Sequence, residues 1–298
     1  MKVIKGGITA PKGFKAAGMH CGIKTSGKKD LAIVYSEVPA NAAALFTSNK
    51  VKAAPVLVSM DHIKGGKAQA IIANSGCANA CTGGEGIEDA KLMTKAVASI
   101  LKIREKHVLV ASTGSIGQRL PIKNVMAGIR SMSKKASAAG HSDAAEAILT
   151  TDTRKKEIAV SVRVRGKIVT IGGIAKGAGM IAPNLATMFA FITTDANVRS
   201  SKLKEYLKDS ADRSFNMTVI DRDTSTNDCV FMFANGLAKN GNLSGRDEKE
   251  FKHALDYVCI HLAKEIARDG EGATKLIEAK AAGAANVRDA KLIARSVA

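Results

Sequence analysis

The sequence predicts an α/β protein. Short apolar runs of strand length alternate with longer stretches in which apolar residues recur at helical spacing. Hydrophobic residues make up 46% of the chain and aromatics only 4%, with no Trp, so the core must be built from Ala, Val, Ile, Leu and Met. No low-complexity linker or internal repeat interrupts the 298 residues, a length that suits one large α/β unit or two modest ones.

Taken in order, strands are expected at 31–35, 68–73, 108–111, 158–164, 167–171, 188–193 and 229–233, each a compact run of apolar residues. Arg165-Gly166 separates the fourth and fifth as a hairpin turn, because Gly tolerates the required backbone. A helix is expected at 86–101, where Ile87, Ala90, Met93, Val97 and Ile100 share one face. A second is expected at 249–268, where Phe251, Leu255, Val258, Cys259, Leu262 and Ile266 do the same. Shorter helices are expected at 143–150, 201–214 and 286–298. The last carries no Gly, Asn or Pro stop signal, which reads as a chain that ends inside a periodic segment.

The formal net charge is +18, with 45 Lys and Arg against 27 Asp and Glu. The densest basic spots, Lys134-Lys135 and Arg154-Lys155-Lys156, are short and lack interleaved aromatics, which argues for a solvated basic surface and against nucleic acid. No run approaches the ~20 apolar residues of a membrane span, and the first residues lack the apolar core of a secretory signal. The expectation is a cytoplasmic protein. Five cysteines, at 21, 77, 81, 229 and 259, are odd in number and widely spread, so reduced thiols are expected.

Two glycine-rich stretches resemble phosphate loops and fail the test. Gly22-Ile-Lys-Thr-Ser-Gly-Lys28 has Lys29 where a magnesium-binding hydroxyl belongs, and no clear strand precedes it. Gly172-Gly-Ile-Ala-Lys-Gly-Ala-Gly179 has neither dinucleotide nor phosphate-loop spacing. Its glycines instead indicate a sharp turn or a close backbone approach. The following segment presents Thr187 at the mouth of an apolar strand. A threonine hydroxyl needs a base beside it, and a threonine at a new N-terminus carries one in its own α-amine. On residue types alone such a threonine is ordinarily structural. The acidic cluster of Asp221, Asp223 and Asp228 reads as turn and capping residues rather than as a metal site.

The run Lys176-Gly-Ala-Gly-Met-Ile-Ala-Pro-Asn-Leu-Ala-Thr187-Met-Phe-Ala-Phe-Ile-Thr-Thr-Asp-Ala196 resembles the cleavage-site signature of the ornithine acetyltransferases (glutamate N-acetyltransferases). Further blocks of that family stand in the expected order: Ala73-Asn-Ser-Gly-Cys-Ala-Asn-Ala-Cys-Thr-Gly83, Ala111-Ser-Thr-Gly-Ser-Ile-Gly117, Thr150-Thr-Asp-Thr153, Asp221-Arg-Asp-Thr-Ser-Thr-Asn-Asp228 and Asp269-Gly-Glu-Gly-Ala-Thr-Lys275. The resemblance spans essentially the whole chain.

It implies a layered αββα sandwich shared with self-cleaving aminopeptidases. It implies autoproteolysis between Ala186 and Thr187, dividing the unit into an α segment (1–186) and a β segment (187–298). Thr187 then carries acetyl from N2-acetylornithine to glutamate. In the same way the resemblance assigns Thr113 and Gly114 to an oxyanion hole, and Thr150, Lys176, Thr187 and Glu271 to substrate binding. It calls for no metal or cofactor, leaves acetyl-coenzyme A open as a second donor, and implies a heterotetramer of two α and two β chains.

The chain departs from the pattern at Cys77, where Asn is usual, at Ser115, where an apolar residue is common, and at Arg222, where Gly is frequent. Family members also continue past a helix resembling residues 289–298 into a region that supplies further substrate contacts. The resemblance therefore makes self-cleavage the firmer expectation and acetyl turnover the weaker one. The competing readings are an amidohydrolase or aminopeptidase using the same threonine with water as acceptor, and an inactive basic binding protein.

Overall fold

The computed structural model describes residues 1–132, 134–181 and 188–298. Its strands are β1 (Lys2–Ile4), β2 (Phe14–Met19), β3 (Leu31–Phe46), β4 (Lys67–Cys77), β5 (Val108–Ser115), β6 (Lys156–Val164), β7 (Lys167–Lys176), β8 (Phe189–Thr194) and β9 (Cys229–Ala234). The helices are α1 (Ala54–His62), α2 (Gly83–Leu101), α3 (Ile122–Met132), α4 (His141–Ala147), α5 (Ser200–Asp212), α6 (Gly245–Arg268) and α7 (Val287–Val297). Hydrogen bonding runs in the order β1-β6-β7-β8-β9-β3-β4-β5, with β2 beside β3.

One continuous hydrogen-bonded path becomes two layers because β3 passes from one to the other. Its first residues pair with β2 and β4, and Asn41 to Phe46 pair with β9; the register shifts between Tyr35 and Ala40. Leu31 and Ile33 therefore point to the same core as Met93 and Val97 of α2, whereas Ala43 shares a core with Leu203 of α5 and Phe251 of α6. Ala32, Val34, Ala40 and Ala42 all face inward between the layers.

Strand alternation of period two explains the remaining packing. In β8, Phe189 and Phe191 point inward while Ala190 and Ile192 point to α6; in β5, Leu109 and Ala111 point inward while Val108 and Val110 point to α2 and α3. Strands buried on both faces read as continuous apolar runs, which is why these were recognisable in the sequence. The order is thus helix, sheet, sheet, helix: the αββα sandwich that the resemblance implied.

Edge protection comes from α1. Ser59 donates its hydroxyl to the Val110 carbonyl at 2.7 Å and accepts the Val110 N–H at 2.8 Å, and His62 Nδ1 lies 2.7 Å from the Val108 carbonyl. The helix thereby satisfies backbone groups on β5 that would otherwise invite pairing with another strand.

Several expectations need correction. The strand expected at 31–35 continues to Phe46, carried across its polar stretch by the register shift. Strand β2 does precede the loop at 22–28, but strand β3 and not a helix follows it, so no helix N-terminus is available for phosphate. The helix expected at 143–150 stops at Ala147. The hairpin is present: Val164 pairs with Lys167, and Arg165 and Gly166 take φ of 48° and 74°. The five cysteines are free.

The inner layer rests on three stacked rings: Phe191 lies 5.7 Å from Phe189 and 5.6 Å from Phe231. Phe191→Ala is expected to cost about 3–5 kcal/mol, measured as a lowered midpoint in urea unfolding with an unchanged slope.

Candidate active site

A cavity of about 840 Å³ opens at the ends of β4, β5 and β7, and among its lining residues are Thr113, Gly114, Thr150, Lys176 and Glu271. Four separate sequence blocks are thereby brought to one place. Thr187 and Ala186 lie outside the described residues.

Thr113 and Gly114 lie near the end of β5, which pairs with β4 as far as Ser115. Gly114 lies opposite Gly76 of β4, where the parallel register shifts. Its φ is 133°, and a Cβ there would fall 2.3 Å from the Gly76 carbonyl carbon and 2.5 Å from the Cys77 nitrogen. Only glycine lets the two strands close at this point. Thr113, beside it, is 4% exposed and accepts a bond from Lys176 Nζ at 3.2 Å.

Lys176 is the last residue of β7 and pairs in register with Phe189 of β8. It is 2% exposed. Burial pushes its amine below the usual lysine range, against the pull of Asp152, Asp228 and Glu271. A lysine in this position costs the fold free energy unless its charge is met.

Behind the cavity lies the ion cluster that meets part of that cost. Lys156 Nζ bonds Asp152 at 2.7 Å and Asp269 at 2.5 Å, and all three side chains are essentially inaccessible to solvent. Asp269 also takes the Thr153 N–H and hydroxyl. The cluster ties the loop at 150–153 to the end of α6. Two residues beyond Asp269, the Glu271 N–H bonds the Ala178 carbonyl at 2.6 Å. The glycine-rich run is where this approach happens: a Cβ on Gly179 would lie 2.7 Å from the Glu271 carboxyl carbon.

The opposite wall is the loop before β3. Asp30, fully buried, accepts the N–H groups of Cys21, Ile23 and Lys24 at 2.7, 2.8 and 3.0 Å. Lys24 Nζ donates to the Leu149 carbonyl at 2.7 Å, next to Thr150. Its amine is lowered by burial, offset by Asp30, with Lys176 and Lys28 lowering it further.

Asp221 and Asp228 act on backbone, as the capping reading expected. Asp221 accepts the N–H groups of Met180 and Ile181, and Asp228 accepts that of Met188 at 2.9 Å. These bonds hold the chain on either side of 182–187. Arg222, where Gly is frequent in the family, takes φ of 65°, the left-handed backbone that glycine adopts without strain. Asp152 and Asp269 stood inside family blocks and Lys156 inside a basic run with no role assigned to them, and Asp30 was not singled out; the available signal was an ionisable side chain in or beside those stretches.

Chemically, the cavity is two-signed. Lys24, Lys28 and Lys176 face it together with Asp221, Asp223 and Glu271, a lining suited to a small molecule carrying both a carboxylate and an amine. The carboxylates of Asp152 and Asp269 are pushed up by burial, and nearby lysines and hydrogen bonds more than reverse this, leaving both below the ordinary value. Groups lowered in the folded state stabilise it above their unfolded pKa, near ~3.9, and lose that contribution as pH falls through the folded value. Resistance to urea is therefore expected to decline below about pH 4. Asp269→Asn should flatten that dependence and cost about 3 kcal/mol at neutral pH. Gly114→Ala should destabilise by about 2–4 kcal/mol through strain and overlap, read as a lower Tm.

Comparison with known proteins fits this architecture. The model of the ArgJ family matches residues 15–298. The arginine biosynthesis bifunctional protein ArgJ of Symbiobacterium thermophilum is 52% identical over 301 residues, covering 100% of this chain and 75% of its own length. Among solved structures, ornithine acetyltransferase from Mycobacterium tuberculosis, in complex with ornithine, is 42% identical with a TM-score of 0.58, matching 62% of this chain and 99% of that one. The L-aminopeptidase D-Ala-esterase/amidase of Ochrobactrum anthropi, an Ntn-hydrolase variant, shares the fold at 10% identity and a TM-score of 0.54, over 91% of this chain and 88% of that one. The chain belongs to the ArgJ family, the bifunctional acyltransferases of arginine biosynthesis.

Proposed function

We propose that the protein is a glutamate N-acetyltransferase that cleaves itself between Ala186 and Thr187 and then carries acetyl on Thr187 from N2-acetylornithine to glutamate. The observation that carries this reading is the convergence of Thr113, Gly114, Lys176 and Glu271 on one cavity, with the chain on both sides of 182–187 held by Asp221 and Asp228.

In the first reaction the Thr187 oxygen attacks the Ala186 carbonyl carbon. The peptide nitrogen leaves as the new α-amine of Thr187, and water hydrolyses the resulting ester. That amine is then the base that takes the hydroxyl proton in the second reaction. The Thr187 oxygen attacks the acetyl carbonyl of N2-acetylornithine and ornithine leaves with its amine restored. Glutamate's amine next attacks the acetyl ester and regenerates the threonine. Each step passes through a tetrahedral oxyanion, which the Thr113 hydroxyl and the Gly114 N–H stabilise from the end of β5. Glu271 meets the side-chain ammonium of ornithine, while Lys176 and Thr150 hold the substrate's polar groups. None of this chemistry needs a metal or cofactor.

Intact-mass measurement tests the first step: two fragments joining at 186/187 in the wild type, and one uncut chain for Thr187→Ala. Labelled acetyl from N2-acetylornithine tests the second. Recovery on glutamate supports transfer, whereas free acetate alone would make the protein an amidohydrolase. Thr113→Val is expected to lower kcat about 10²–10³-fold.

A further inference from the structure

We propose that Asp152 is a positioning residue for this reaction, holding Lys176 as an ammonium that donates to Thr113 and so aims the Thr113 hydroxyl proton into the cavity. The inference rests on the reading of the site given above. Asp152 touches no part of the cavity itself, yet both of its carboxylate oxygens serve the cavity's walls. Oδ1 accepts the Gly177 N–H at 2.7 Å and Lys156 at 2.7 Å, and Oδ2 accepts the Thr150 N–H at 3.1 Å. One buried carboxylate thus fixes the residue after Lys176 and the backbone of Thr150.

The hydroxyl geometry supplies the rest. A threonine hydroxyl has one proton and two lone pairs. Where Lys176 donates to Thr113 Oγ1, the oxygen is an acceptor on that side and its own proton is free to point to a second partner. A neutral amine offers a lone pair instead, which draws the hydroxyl proton toward Lys176 and away from the cavity. An ammonium has no lone pair to take that proton, so a charged Lys176 keeps the hydroxyl free to donate to an oxyanion.

Burial opposes that charge, and Lys156 and Lys24 oppose it as well; Asp152, Asp228 and Glu271 favour it. Asp152 is the acidic group among these that is also bonded to the Gly177 N–H, adjacent in the chain. Lys156, held between Asp152 and Asp269, keeps the carboxylate in place without being aimed at Thr113 itself.

The test is an NMR titration of the lysine side-chain ε-carbons in the full chain, with Lys176 assigned by its loss in Lys176→Arg. In Asp152→Asn the Lys176 midpoint should fall by about one to two pH units. In Asp269→Asn, which disturbs the same ion cluster, it should stay where it is. An unchanged midpoint in Asp152→Asn, or equal movement in both variants, would overturn the proposal. The alkaline limb of kcat/KM for acetyl transfer should move down with the midpoint in Asp152→Asn. A purely structural role would lower the rate at all pH values and leave the limb unmoved, which also counts against the proposal. Absence of any acetyl transfer by the wild type would sink the functional reading alone, because the NMR midpoint is read without turnover.

Discussion

Two layers of strands pressed face to face, with Phe189, Phe191, Phe231 and Phe233 contributed by one and Ile71, Ala73, Leu109 and Ala111 by the other, set the terms for everything else in this protein. Each layer has a second face that must also be kept from water, so α2 and α3 cover one outside and α5 and α6 the other. Small residues dominate the β4 and β5 side of the inner core and aromatics the β8 and β9 side. Such pairing of large against small fills space at crystal-like density. The cavity lies where this filling stops, at the strand ends.

The site depends on burying charge beside that apolar interior. Lys156 and Lys176 are almost inaccessible, and burying either one costs the fold free energy unless its charge is met. The structure meets the two differently. Lys156 sits between two aspartates in a closed cluster, whereas Lys176 leans on Thr113 and faces the cavity. A closed cluster is scaffold, and a lysine whose charge is incompletely met is available for chemistry.

Much of the fold was legible because the strands are covered on both faces and therefore apolar throughout. Legibility failed where the signal was diluted. Strand β2 is rich in Ala and Gly, and β3 crosses Ser36, Glu37 and Pro39 before it resumes. Helix α3 has Gly128 in its middle, where it packs beside Cys21 and Leu31, and α1 has Pro55 in its first turn followed by the β-branched Val56 and Val58. In the site, Thr113, Gly114, Thr150, Lys176 and Glu271 were reached through family blocks. Asp30 and Lys156 were not, and Asp152 stood inside such a block with no role assigned, since these residues work on backbone groups and on other side chains far apart in the chain. Nothing local in the sequence marks such a partnership.

The position of β8 and β9 in the sheet has a consequence for order in time. They stand between β7 and β3, so the residues after 187 do not form a lobe of their own but are woven through those before it. A polypeptide cut between β7 and β8 before folding would give two pieces with raw strand edges, and would divide between them the core under α6 and the core between the two layers. Cut afterwards, the pieces stay joined by the ladder hydrogen bonds of β7 with β8 and of β9 with β3. Any scission at this place therefore has to follow assembly, and folding itself becomes the step that licenses it.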